Sequence, residues 1–157
     1  MRRVAITGLL LLGACIPFQH NVQTTTFTVG LSPDTALRVA TTQLEHHGFT
    51  VHDAGNRTVI TMPHELPSNV RLASTNAGPQ QWLVRVSANR VIFGGGTRIT
   101  VDGFLLPPRV YPTSGNVAVQ SAIPIDDNAN PQAYRELLAA SGWLQDAMVR
   151  EVKGNYR

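Results

Sequence analysis

Thr24-Thr-Thr-Phe-Thr-Val-Gly-Leu-Ser-Pro-Asp-Thr-Ala-Leu-Arg-Val-Ala-Thr-Thr-Gln-Leu-Glu-His-His-Gly48 contains both kinds of element from which this chain builds its domain. From Thr24 to Leu31 β-branched residues dominate, and Phe27, Val29 and Leu31 alternate with polar neighbours, which predicts a half-buried strand. Ser32-Pro33-Asp34 then supplies an N-cap, a proline at the first helical position and an acid in the first turn. The spacing predicts a helix from there to about His47, stopped by Gly48. Leu37, Ala40 and Leu44 recur at helical spacing with Ala36 and Val39 beside them, while Arg38, Gln43 and Glu45 lie elsewhere on the wheel. A strand with one apolar face followed at once by a helix with one apolar stripe needs a shared core between two layers.

Downstream, Phe49–Asp53 and Arg57–Met62 bracket Ala54-Gly55-Asn56 and predict a hairpin. Residues 63–80, with three prolines, read as a long loop with one helical turn at most. Gln81–Ser87 predicts a strand with Trp82, Val84 and Val86 on one face. Val91–Phe93, Gly94-Gly-Gly96 and Thr97–Val101 with Phe104–Leu106 predict either one long strand kinked at the glycines or two strands parted there. Residues 107–130 are proline-rich and polar, with a short apolar stretch at Val117–Ile125. Asn130-Pro131 repeats the cap-and-proline start, and a final helix to about Val152 presents Tyr134, Leu137, Leu138, Ser141, Leu144, Met148 and Val152.

The order β-α-β-β-loop-β-β-(β)-α, with an optional strand before the last helix and short links between strands, predicts an α+β domain over residues 24–157. Its architecture is two layers: a mostly antiparallel sheet of about five strands with two amphipathic helices packed on it. This order resembles the small helix-on-sheet lipoprotein domains of outer-membrane assembly and transport machineries, such as helix-grip domains. The likeness is of element order, and a fold does not by itself fix a function.

Upstream, Met1-Arg-Arg precedes an uncharged apolar run of nine residues, Val4 to Leu12, far short of the ~20 that span a bilayer. It reads as a signal segment. Leu12-Gly13-Ala14-Cys15 closes that run on the only cysteine of 157 residues. This arrangement resembles the lipobox of bacterial lipoproteins. The resemblance implies a signal peptide over 1–14, cleavage before Cys15, and two or three acyl chains on that residue; more than one chain makes attachment stable. Ile16, where an Asp would favour inner-membrane retention, implies the periplasmic face of the outer membrane. Residues 15–23 would then be the anchor and a short tether, with Ile16–Gln23 reaching roughly 15 Å.

An acylated Cys15 excludes thiol nucleophiles, redox pairs and disulfides from the mature chain. Of 13 basic residues only Lys153 is lysine, and loss of Arg2 and Arg3 leaves 11 basic against 10 acidic residues. The basic residues form no run, so nucleic acid is not an expected partner.

No catalytic, metal or cofactor motif stands out. Adjacent on a helix, His46 and His47 point about 100° apart; with His20, His52 and His64 they make no HxH or HxxxH spacing, so zinc is not expected. Gly94-Gly-Gly96 lacks the lysine and hydroxyl of a phosphate-binding loop and reads as a bulge or kink. Ser114-Gly115 and Ser141-Gly142 lack a nucleophile elbow, and Asp126-Asp-Asn-Ala-Asn130 lacks the glycine and closing Glu of a calcium loop. Trp82 and Trp143 read as core or core-edge residues.

The leading expectation is therefore a membrane-anchored, non-enzymatic binding or assembly module of the cell envelope, held by acyl chains on Cys15 and meeting an envelope protein. The alternatives are an envelope hydrolase and a small-ligand or lipid carrier. The hydrolase requires at least three of His46, His47, His52, His64, Asp53, Asp102, Asp126 and Asp127 in one cleft. The carrier requires a cavity between helices and sheet. For a protein partner, the proline-rigid segment Phe104–Pro112 offers Phe104, Arg109 and Tyr111, either folded back on the sheet edge or open to contact.

Overall fold

The computed structural model describes residues 24–67, 80–92, 94–106 and 122–154, without the side chains of Asp53 and Ala54. The lipobox, the tether, Arg109 and Tyr111 lie outside the described residues.

The domain is α+β: among the described residues one antiparallel sheet carries two helices. The strands are β1 (Thr25–Val29), β2 (Val51–Gly55), β3 (Thr58–Thr61), β4 (His64–Glu65), β5 (Gln81–Arg90), β6 (Thr97–Leu105) and β7 (Ile123–Pro124). The helices are α1 (Pro33–His46) and α2 (Pro131–Gly154). The main path runs β1-β6-β5-β3-β2, with β4 joined to β5 and β7 to β6. The two strands beyond the expected five are two-residue pairings, too short to leave a period in the sequence.

The glycine run parts two strands, and these form the central hairpin. β5 and β6 pair from Trp82↔Leu105 to Arg90↔Thr97. All three glycines take positive φ, and Gly96 requires it most, at +111° with room for no side chain. A Cβ there would stand 2.8 Å from the carbonyl oxygen of Val29. Gly96→Ala is expected to cost about 1–3 kcal/mol in urea unfolding, from backbone strain and that clash together.

Alternation divides the sheet cleanly. Val59, Trp82, Val84, Val86, Ile99 and Val101 face the helices and join Leu44, Leu137, Leu144 and Met148 in the main core. Ser32 caps α1 as the sequence predicts, its Oγ accepting the Thr35 N–H at 3.2 Å. Two leucines depart from expectation. Leu37 is only partly buried, and Leu138 is 43% exposed. Successive helical residues point about 100° apart, so full burial of Leu137 turns Leu138 toward water.

The opposite face carries Ile60, Leu83, Phe104 and Leu106 as a second buried cluster. Phe104 was expected to lie where the chain leaves the sheet. Instead it sits within β6, paired with Leu83 and Pro124 and only 5% exposed, so it packs the sheet and offers no surface to a partner. The ladder outlasts Phe104 because the first proline arrives only at 107.

Candidate functional site

The site grows from the way α1 ends. Gly48 takes φ +85°, and its N–H donates to the carbonyl of Glu45 at 3.0 Å. The Phe49 N–H donates to the Leu44 carbonyl, also at 3.0 Å. These are the two bonds of a Schellman cap, which glycine makes cheaply and which sets the next apolar residue against the helix. The cap fixes two rings at once. Phe49 turns into the core, and His47, at the C-cap, reaches across to α2 and stacks on Trp143 at 4.0 Å and 16°.

A break in the next strand brings the second wall. β3 leaves β5 after Ile60, and the Thr61 hydroxyl replaces the missing ladder acceptor by taking the Val84 N–H at 2.9 Å. Pro63 cannot donate, so the chain steps aside and returns as β4, with His64 opposite Trp82. The His64 ring then lies 4.7 Å from Phe49, and Phe49 meets Trp82 edge-on at 5.6 Å.

The third wall is one face of α2. Glu136, Ala139, Ala140 and Trp143 stand at i, i+3, i+4 and i+7, beside the stripe that faces the sheet. Together these walls enclose a cleft of about 280 Å³, with Glu65 and Pro67 at its β4 side. Both tryptophans of the chain line it.

Three properties define its chemistry. Among the described residues its walls are flat rings and small residues, with no leucine, isoleucine or valine among the lining side chains. Among the described residues its charged groups are the carboxylates of Glu65 and Glu136, and neither lysine nor arginine lines it. The indole N–H of Trp82, a residue 4% exposed, has no hydrogen-bond partner among the described residues. Leaving such a donor buried and unpaired costs about 1–3 kcal/mol. Trp82→Phe, which deletes the donor and keeps most of the ring, is therefore expected to lose less than about 1 kcal/mol by urea unfolding, against the ~3–5 of an ordinary Trp→Ala.

Of the residues expected to converge in a hydrolase, His47 and His64 share this cleft, the Asp53 side chain is outside the described structure, and His46, His52, Asp102, Asp126 and Asp127 are not among the residues that line it. His46 is exposed, with its ring perpendicular to that of His47. His52 is exposed on the edge strand β2. Asp102 is on the far face of the sheet, where its Oδ2 accepts from Arg85 Nε at 2.9 Å and Nη2 at 2.7 Å. Asp126 closes a turn, its Oδ1 accepting the Asn128 N–H at 2.7 Å. Asp127 follows it in that turn. Among the described residues no three His, Cys, Asp or Glu side chains gather as metal ligands.

Sequence reasoning weighed His47, His64, Trp82 and Trp143 one at a time and missed their meeting. The available signal was a pair: a histidine at a helix stop and the Glu136-to-Trp143 spacing on the second helix. No protein-family model matches the chain, and no curated protein is significantly similar to it.

Proposed function

We propose that this chain is a cell-envelope lipoprotein, anchored through acyl chains on Cys15, whose domain binds a small ligand in the aromatic cleft without transforming it. The carrying observation is a cleft of about 280 Å³ lined by stacked and tilted rings, with the Glu65 and Glu136 carboxylates among its described lining residues. Among the described residues no serine, threonine or cysteine lines the cleft, which suits recognition better than acyl transfer.

The topology suits a tethered binder. β1 runs antiparallel to β6, so the chain enters β1 from the end of the sheet where β6 finishes and β5 begins. That is the end carrying Trp82 and β4. A tether of roughly 15 Å reach would hold the cleft near the membrane surface. The absence of an Asp after Cys15 favours the periplasmic face of the outer membrane.

Fractionation tests the anchor. Wild-type chain expressed in a Gram-negative host is expected in the membrane pellet, released by detergent and retained in high salt. Cys15→Ala is expected to move to the soluble fraction or to remain unprocessed, with an unchanged circular dichroism spectrum. A wild-type protein that stays soluble overturns the anchored reading.

A further inference from the structure

We propose that the tip of the β5–β6 hairpin is a second membrane contact, which sets Ile92 into the interface of an anionic lipid bilayer with Arg90 and Arg98 against its phosphates; this rests on the anchored reading above. Exposure, shape and charge converge on the tip. Ile92 is 89% exposed, against 57% for Ile123 and 43% for Leu138, and in the sequence it stands within the apolar run Val91-Ile92-Phe93. The loop closes tightly, the Val91 N–H donating to the Gly96 carbonyl at 3.0 Å, and a Cβ on Gly94 or Gly95 would meet no described atom within 4 Å. The apex therefore projects clear of the described domain. Arg90 and Arg98 are exposed, and neither has an ion pair or side-chain hydrogen bond among the described residues. With Asn89, Val91 and Ile92 they bound one shallow hollow of about 290 Å³.

No carboxylate opposes these cations. Every Asp and Glu of the chain lies in the described residues, the Asp53 side chain excepted, and none lines the hollow or pairs with either arginine. Asp53 itself is on β2, two strands from β5 and level with Val86. An apolar apex beside unopposed guanidiniums suits a bilayer interface, where the side chain sinks below the headgroups and the cations stay at the phosphates.

The anchor keeps that surface at high local concentration. Thr25 is level with Val101 and Val86, six residues from Ile92, or about 20 Å along the strand. Ile16–Gln23 can extend to about 27 Å, so the acyl chains and the tip can touch one bilayer together. The second contact gives the domain one orientation, where a tether alone leaves it free to turn.

The test places the acylated protein in nanodiscs that contain doxyl-labelled lipid and follows its isoleucine Cδ1 methyls by NMR. Ile92→Val and Ile123→Val assign the two signals. Ile123, also exposed, pairs with Leu105 at the opposite end of β6 and serves as the internal control. In discs containing phosphatidylglycerol the Ile92 methyl is expected to relax several-fold faster than that of Ile123. In phosphatidylcholine alone, and in the double variant Arg90→Gln with Arg98→Gln, docking is expected to weaken about fivefold or more, the effect of one arginine near an anionic surface. The variant is first checked for wild-type circular dichroism, and the lipid comparison needs no variant.

The failures separate. An acylated protein whose Ile92 relaxes no faster than Ile123 in anionic discs overturns the inference and leaves the anchor standing. An excess equal in both lipids and in the double variant overturns it too, because the arginines then take no part. An Ile92 signal untouched by lipid but broadened by solubilised envelope proteins assigns the tip to a protein partner and also overturns it. An unmodified Cys15 overturns the anchored reading, and the tip contact falls with it only if Ile92 is not relaxed by anionic lipid.

Discussion

Arg85→Met is expected to destabilise the domain by about 3 kcal/mol. Asp102 is 3% exposed on the middle of β6, and both hydrogen bonds to its Oδ2 come from Arg85 on the neighbouring strand. Its Oδ1 has no partner among the described residues, so the guanidinium is its main compensation. Removing one partner of a buried pair costs ~3–5 kcal/mol, since the remaining charge stays desolvated. The lower end applies here because 34% of the Arg85 side chain reaches water, where screening weakens the pair. Methionine keeps apolar contact with the Phe104 ring, over which the guanidinium carbon sits at 4.9 Å. The double variant Arg85→Met with Asp102→Leu is expected to recover to within about 1 kcal/mol of wild type, because no buried charge remains. A double variant as unstable as the single one would show that the pair sets the β5–β6 register and does more than neutralise Asp102.

Leu137→Ala is expected to cost about 3 kcal/mol or more, while Leu138→Ala is expected to stay within about 0.5 kcal/mol. Leu137 is fully buried, and its methyl groups approach Gly103 of β6 so closely that a Cβ there would stand 3.1 Å from one of them. The space left by alanine lies between a helix and a sheet that cannot easily close on it, so a cavity persists. Leu138, one residue on, is 43% exposed. Urea unfolding of both variants reads which face of α2 meets the sheet. Equal losses would mean the helix is rotated from this register.

The architecture was legible wherever period and capping agreed. Ser32-Pro33 and the stripe through Leu44 placed α1, and the alternation of Trp82, Val84 and Val86 assigned the buried face of β5. Less legible were features that depend on distant partners. β4 exists because Pro63 displaces the chain and Trp82 receives it, and two residues carry no periodicity. Phe104 followed by Leu105-Leu106-Pro107 looks like an exit from the sheet, yet the ladder to Leu83 and Pro124 holds it. Leu138 looks like core because its neighbours are core, but only the rotation of α2 decides which leucine faces inward. The cleft was the least legible. Its rings come from the end of α1, from β4, from β5 and from the middle of α2, and no local pattern links His47 to Trp143 across nearly a hundred residues. A residue type gave the hint: tryptophan occurs twice in this chain, and both copies stand in one place.

Whether this domain works as an anchored binding module rests most directly on Cys15. The decisive measurement is the intact mass of the N-terminal peptide of the mature protein purified from membranes. The expected result is a chain starting at Cys15 that carries a diacylglyceryl thioether, with a further acyl group on its amine where the host adds one. A mature chain that starts elsewhere, or an unmodified Cys15, contradicts it.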